Sequence, residues 1–276
     1  MTRRLTPRVL LMQSLRALVA LLFAWPLYWL VVTATGNKGD VYASPPRWVP
    51  AFQVGPMIAV VTGTPWLRYV LNSVLITGST IVLVLLTSIL AGYGLAAYRF
   101  RGREALFLVL LGALMLPEQA LLIPQYVVLY HLRMLNTYPA LIIPFAASSS
   151  GIFLFRQFFL KLPVSYREVA RLEGTSTPQY LRRVAVPLAR PIVLTVLLLT
   201  FISSWNQFQW PLIMTNSNSL APIELALSHY MQTYAGNWRT LTSAAFLALL
   251  PIVVVFAATQ RHIVRAVVGG DSGLNE

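Results

Sequence analysis

Apolar residues in this chain come in long blocks from which charge is absent, rather than in short stripes set against a polar background. Uncharged runs cover 17–37, 69–98, 134–155, 191–223 and 240–260, and a sixth, 105–130, is broken only by Glu118. About 20 apolar residues in a helix cross a hydrocarbon core of roughly 30 Å, and each block supplies that length. The pattern therefore predicts an all-α, polytopic membrane protein with six transmembrane helices. The first block outruns the ~7–15-residue core of a cleavable signal and carries Trp25, Pro26, Tyr28 and Trp29, so it reads as a retained span.

The connections differ in kind. Residues 36–66 hold Pro45, Pro46, Pro50, Pro56 and Pro65 with Trp48 and Trp66, which predicts an extended, interfacial segment. Ser88, Gly92 and Ala96 recur every four residues in the second block, placing small side chains on one helix face for close approach of another helix. The longest connection, 161–190, predicts two short helices. Ser165 and Glu168 form a capping box opening a helix from about Tyr166 to Glu173, and Gly174 suits its left-handed end. Thr177 then caps a second helix, with Pro178 at its first position, that runs until Pro187. Val169 and Leu172 make an apolar stripe, and Ala170 is small enough for a partner to come close. No repeat or low-complexity tract marks a boundary, so residues 1–276 read as a single transmembrane domain.

Composition narrows the class. With 57% hydrophobic and 11% charged residues, the chain is neither a soluble domain nor a disordered one. The absence of cysteine excludes a disulfide scaffold, a cysteine-ligated metal and a thiol nucleophile. A net charge of +13 would suit nucleic acid if it were clustered, but its distribution follows the spans instead. Sixteen of the 21 basic residues fall in alternate connections: Arg3, Arg4, Arg8 and Arg16; Arg99, Arg101 and Arg103; seven between Arg156 and Arg190; and Arg261 and Arg265. Lys38, Arg47, Arg68, Arg133 and Arg239 lie on the other side. The positive-inside tendency then places both termini and the 161–190 connection in the cytoplasm, and no nucleic acid is needed to explain the charge.

Reactive chemistry is sparse. There is no Walker-type phosphate loop, no His-Glu-x-x-His and no Gly-x-Ser-x-Gly, so no catalytic residue is assigned. His131, His229 and His262 are spaced unlike a metal site. For a translocation path, Glu118 and Gln119 are candidates because an ionisable group inside a span is costly against lipid. Asn206, Gln207 and Gln209 with Trp205 and Trp210 supply amides and flat apolar faces suited to sugar hydroxyls and ring C–H surfaces.

Glu168-Val169-Ala170, Gly174 and Val186-Pro187 resemble the EAA signature of inner-membrane permease subunits of binding-protein-dependent ABC importers. Further similarity covers the core, 67–262: Asn72-Ser73, Ala91-Gly92-Tyr93-Gly94-Leu95-Ala96, Leu116-Pro117 with Ile123-Pro124, Leu135-Asn136-Thr137, Trp205-Asn206-Gln207-Phe208 with Trp210-Pro211-Leu212, and Gln260-Arg261. Together these are similar to the carbohydrate-uptake branch, of the maltose-permease second-subunit type. The resemblance implies a multi-pass permease of the bacterial or archaeal cytoplasmic membrane, paired with a second, related permease. It also implies two ATPase subunits that carry ATP and Mg, and an extracytoplasmic solute-binding protein, with no cofactor in this chain. The EAA loop would be the coupling helix, with Glu168 in a charge-assisted contact to the ATPase, Ala170 allowing insertion and Gly174 the turn. Val169 replaces the first alanine of the signature, and Glu173 stands where aspartate is usual.

Two other readings share the hydropathy. An ABC importer of glycerol phosphate, a polyol or another small solute would use the same coupling loop. A secondary transporter would need no ATPase and would use Glu118 as a proton carrier.

Overall fold

The computed structural model describes residues 7–37, 39–40, 43–233 and 237–269. Arg3, Arg4 and Lys38, which enter the charge count above, lie outside them. The described residues are helical, without strands: α1 (Pro7–Ala34), α2 (Gly55–Gly63), α3 (Trp66–Ala97), α4 (Arg103–Ala113), α5 (Glu118–His131), α6 (Tyr138–Ile142), α7 (Ser149–Lys161), α8 (Val164–Leu172), α9 (Thr177–Tyr180), α10 (Val186–Leu188), α11 (Arg190–Trp205), α12 (Gln209–Met214), α13 (Ile223–Thr233) and α14 (Trp238–Gly269). Three of these, α1, α3 and α14, are each long and apolar enough to cross a membrane, and three bent helix pairs pass the same test when taken together.

The six predicted spans thus correspond to three single helices and three bent pairs, which hydropathy did not divide. The 105–130 run breaks between α4 and α5 with a bend of 103°. Pro117, in extended backbone, ends one helical path and caps the next. The 134–155 run breaks by 41° after the 3₁₀ turn Ile143–Phe145, and the Ser148 hydroxyl restarts it by accepting from Gly151 N–H at 3.1 Å. At Ala189, between Pro187 and Pro191, the chain turns by 83°. The 191–223 run then holds α11 and α12 separated by Asn206–Phe208, not one helix.

Contacts divide the chain into two compact units, Met1–Leu67 with Leu227–Pro251 and Arg68–Ala226 with Ile252–Glu276. In the first, Trp48 packs on Trp25 and Trp29 at 5.4 and 5.5 Å between ring centres, and the Tyr28 hydroxyl donates to the Trp48 carbonyl. Trp48 thus ties the 36–66 segment to α1. It is not extended throughout, because Gly55-Pro56 opens α2, where a proline in the first turn forfeits no hydrogen bond. Ser243 donates to the Ala34 carbonyl at 2.9 Å and fixes the start of α14 against the end of α1.

The second unit is built on α3 and α7. A Cβ at Gly92 would lie 2.7 Å from Phe155 Cβ and 3.0 Å from the Arg156 nitrogen; one at Gly151 would lie 2.5 Å from Ser88 Oγ. The small stripe of α3 therefore does what its spacing predicts. Behind it Tyr93, Phe155, Phe159, Ala170, Tyr180, Ala185 and Val196 form one buried cluster that seats the 161–190 connection on the span core. At the other end of α3, the Asn72 side chain donates to the Ser219 and Ala221 carbonyls, each at 2.9 Å, and accepts from the Tyr138 hydroxyl at 2.8 Å. Ser73 accepts from Ile223 N–H at 2.8 Å.

Candidate functional site

Two places in the second unit gather the residues singled out by sequence. The first is a cleft of about 280 Å³ lined by Glu118, Gln119, Leu122, Ser203, Asn206, Gln207, Phe208, Gln209 and Trp210. Its geometry follows from two helix breaks. Pro117 puts Glu118 at the first position of α5, where the helix N-terminus favours a carboxylate. The end of α11 at Trp205 leaves Asn206 and Gln207 in the link to α12, opposite it. A hollow of about 350 Å³ shares Ser203 and Gln207 with the cleft and adds the polar side chains of Thr80, Ser148, Ser150, Thr200 and Ser204. Glu118 is the one formal charge among the residues lining either space, and the buried Thr80 hydroxyl has no hydrogen-bond partner.

Six of the seven path candidates thus meet in one cleft. Trp205 does not line it: the side chain is buried, with its ring stacked on Phe201 at 5.4 Å. Trp210 lines the cleft, but its indole N–H already donates to the Ala140 carbonyl at 3.0 Å and its ring meets Phe145 edge-on. Asn206 donates to Ile202 O at 2.9 Å, closing the last turn of α11. The serines and Thr80 of the adjoining hollow escape sequence reading, because single hydroxyls in apolar runs are also ordinary helix-packing residues.

The second place is α8. Its start differs from expectation: the first turn opens on Pro163 with no side-chain cap, so Ser165 and Glu168 make no capping box. A cap forms at Ser176 instead, whose N–H and hydroxyl both donate to Gln179 Oε1 at 3.0 Å, and α9 begins one residue before the expected site. The end is as expected. Gly174 has φ +70°, and Thr175 N–H bonds to Ala170 O at 2.9 Å with Gly174 N–H to Arg171 O at 3.0 Å, the paired bonds of a Schellman turn.

The faces of α8 are unequal. Ala170 is buried in the chain's own core beside Tyr93 and Tyr180, whereas Leu172 is 89% and Val169 53% exposed, with Glu168 and Glu173 also at the surface. Arg167 shares the inner face and donates to the Ala97 carbonyl at 2.9 Å, placing a cation on the last residue of α3. Sequence reasoning passed over Arg167, although its three-residue spacing from Ala170 carries the signal.

The family described as binding-protein-dependent transport system inner membrane component matches residues 85–269. The arabinooligosaccharides transport system permease protein AraQ of Bacillus subtilis (strain 168) is 32% identical over 212 residues, 76% of this chain and 75% of that protein. The sn-glycerol-3-phosphate transport system permease protein UgpE of Salmonella typhi is 32% identical over 256 residues, 90% of this chain and 91% of the relative. Among solved structures, a chain of a bacterial ABC transporter that imports the acidic polysaccharide alginate superposes with a TM-score of 0.81 at 20% identity, covering 94% of this chain and 99% of that one, which is a likeness of fold. A broken-helix core with a polar cleft, a short surface helix ended by a left-handed glycine, and a match over two thirds of the sequence identify this chain as a member of the binding-protein-dependent transport system inner membrane component family.

Proposed function

We propose that this chain is the permease subunit of an ATP-driven importer of neutral, hydroxyl-rich solutes of the carbohydrate class. In this reading residues 1–276 form one six-span transmembrane domain of the cytoplasmic membrane, three spans being bent pairs, with both termini and the 161–190 connection in the cytoplasm. A second permease completes the path, two ATPase subunits bind ATP and Mg, and an extracytoplasmic binding protein delivers the cargo. The chain itself carries transport rather than catalysis.

The observation that carries coupling is the two-faced α8. Ala170 and Arg167 fasten it to the permease core, while Leu172, Val169, Glu168 and Glu173 are left outside a fixed turn at Gly174. A partner gripping that outer face would move the core attached to the inner one. Nucleotide binding can shift a transporter between states only if the partner binds one state better, and a rigidly seated helix supplies such a differential contact.

Cargo class rests on the cleft. Glu118, Gln119, Asn206, Gln207 and Gln209 offer carboxylate and amide groups that pair with hydroxyls, and no cation lines the space. A phosphate ester would meet Glu118 with nothing on this chain to neutralise it. The glycerol-phosphate or polyol reading has the 90% overlap with UgpE in its favour; for a phosphorylated cargo it needs every countercharge to come from the partner permease. Identification of the ligand on the cognate binding protein decides between them, and a phosphate monoester as that ligand would overturn the neutral-solute reading. For coupling, Leu172→Asp in the assembled transporter is expected to abolish cargo-stimulated ATP hydrolysis and uptake without lowering thermal stability. Normal uptake by that variant would overturn it.

A further inference from the structure

Where α3 meets α8, a separate cavity of about 350 Å³ opens beside the buried Tyr93 and Tyr180. Three guanidinium groups, Arg99, Arg103 and Arg167, line it, and no carboxylate does. The local charge is not balanced. Glu104 is shared between Arg103 at 2.7 Å and Arg156 at 3.1 Å, so one carboxylate serves two cations. Arg167 is held by a neutral carbonyl, and exposed Arg99 makes no hydrogen bond or ion pair in the structure. The remaining wall is apolar, and Leu160 on it is half exposed.

From this geometry we infer that the cavity is a binding site for the phosphate of an anionic ligand, filled in the membrane by the headgroup of an acidic phospholipid. The guanidinium groups match phosphate oxygens in geometry and charge. The volume is at the low end for small-molecule pockets, enough for a glycerophosphate head whose chains leave along Leu160 and Leu162. Clustered basic residues at a span end attract acidic headgroups in this way. The site lies apart from the cargo cleft, and its existence does not depend on which cargo the cleft takes. Because Val164 of α8 lines the same cavity, a bound headgroup also stiffens the base of that helix.

The test uses the assembled transporter in detergent, titrated with phosphatidylglycerol or with zwitterionic phosphatidylcholine and read by native mass spectrometry. Retained phosphatidylglycerol adducts are expected on the wild type and a loss of about tenfold or more in the R99Q/R103Q double variant. Arg99→Lys, which keeps the charge but not the guanidinium fork, is expected to retain most of them, and an unchanged melting temperature of the double variant in lipid-free detergent excludes misfolding as the cause. If phosphatidylglycerol is held no better than phosphatidylcholine, but inorganic phosphate raises the melting temperature of the wild type and not of the double variant, the same site serves a soluble anion. Equal behaviour of wild type and double variant toward both lipid and phosphate overturns the proposal.

Discussion

Asn72 shows how much a single side chain organises here. Its amide is 3% exposed and joins α3 to the segment before α13 and to Tyr138 of α6 through three hydrogen bonds. Asn72→Leu leaves two carbonyls and a phenol without partners in a buried setting, at about 3 kcal/mol in total, so the melting temperature in detergent should fall by several degrees. Gly92→Ala is expected to lower it for another reason. The added methyl meets Phe155 and backbone of α7 within 3.0 Å, an overpacking of roughly 1–3 kcal/mol that only a shift of α7 relieves. Burial alone raises the Glu224 carboxyl above its ordinary 4.5. A folded-state value above the unfolded one means that stability is lost as pH rises through it and regained below about 4.5, where both states are protonated. Glu224→Gln should therefore stabilise the protein at pH 8 and have little effect near pH 4, as thermal scans at the two values will report.

At the scale of elements, what sequence could and could not convey divides along physical lines. Long uncharged runs locate the spans because the bilayer imposes length and apolarity without reference to neighbours. The Ser88 and Gly92 stripe was legible for the same reason, as was the Gly174 turn, since both follow from local sterics. The end of the helical path near Pro187 was legible too, but the helix breaks at Pro117 and Ser148 were not, because hydropathy is blind to direction and Pro26 and Pro251 sit inside unbroken helices of the same chain. The cap at Ser165 failed since Leu162-Pro163 fixes where α8 begins, and Ser176 three residues before Gln179 was the better match. Proximity of Glu118 to Asn206 across 88 positions had no local signature. Arg167 is the element-level test of how α8 is held. Arg167→Gln removes the cation from the end of α3, and uptake should fall severalfold with stability lowered by no more than about 1–2 kcal/mol.

For the whole molecule, sidedness is the property on which transport direction depends, and the chain is suited to measuring it because it contains no cysteine. Ser165→Cys on α8 and Asn216→Cys after α12 both place a thiol on an exposed position. An impermeant maleimide added to sealed right-side-out vesicles is expected to label the second and spare the first; the reverse pattern would invert the assigned topology.

The surroundings of Gly174 are empty: a Cβ built there meets nothing within 4 Å, yet φ is +70°. What forbids other residues is torsion, not space. Randomising this codon and selecting for growth on the imported nutrient should then return glycine first, asparagine and aspartate behind it, and no valine, isoleucine or threonine, with side-chain size having no bearing on the ranking. The same library at codon 92 should sort by volume alone, so two glycines of one chain would leave opposite fingerprints in the survivors.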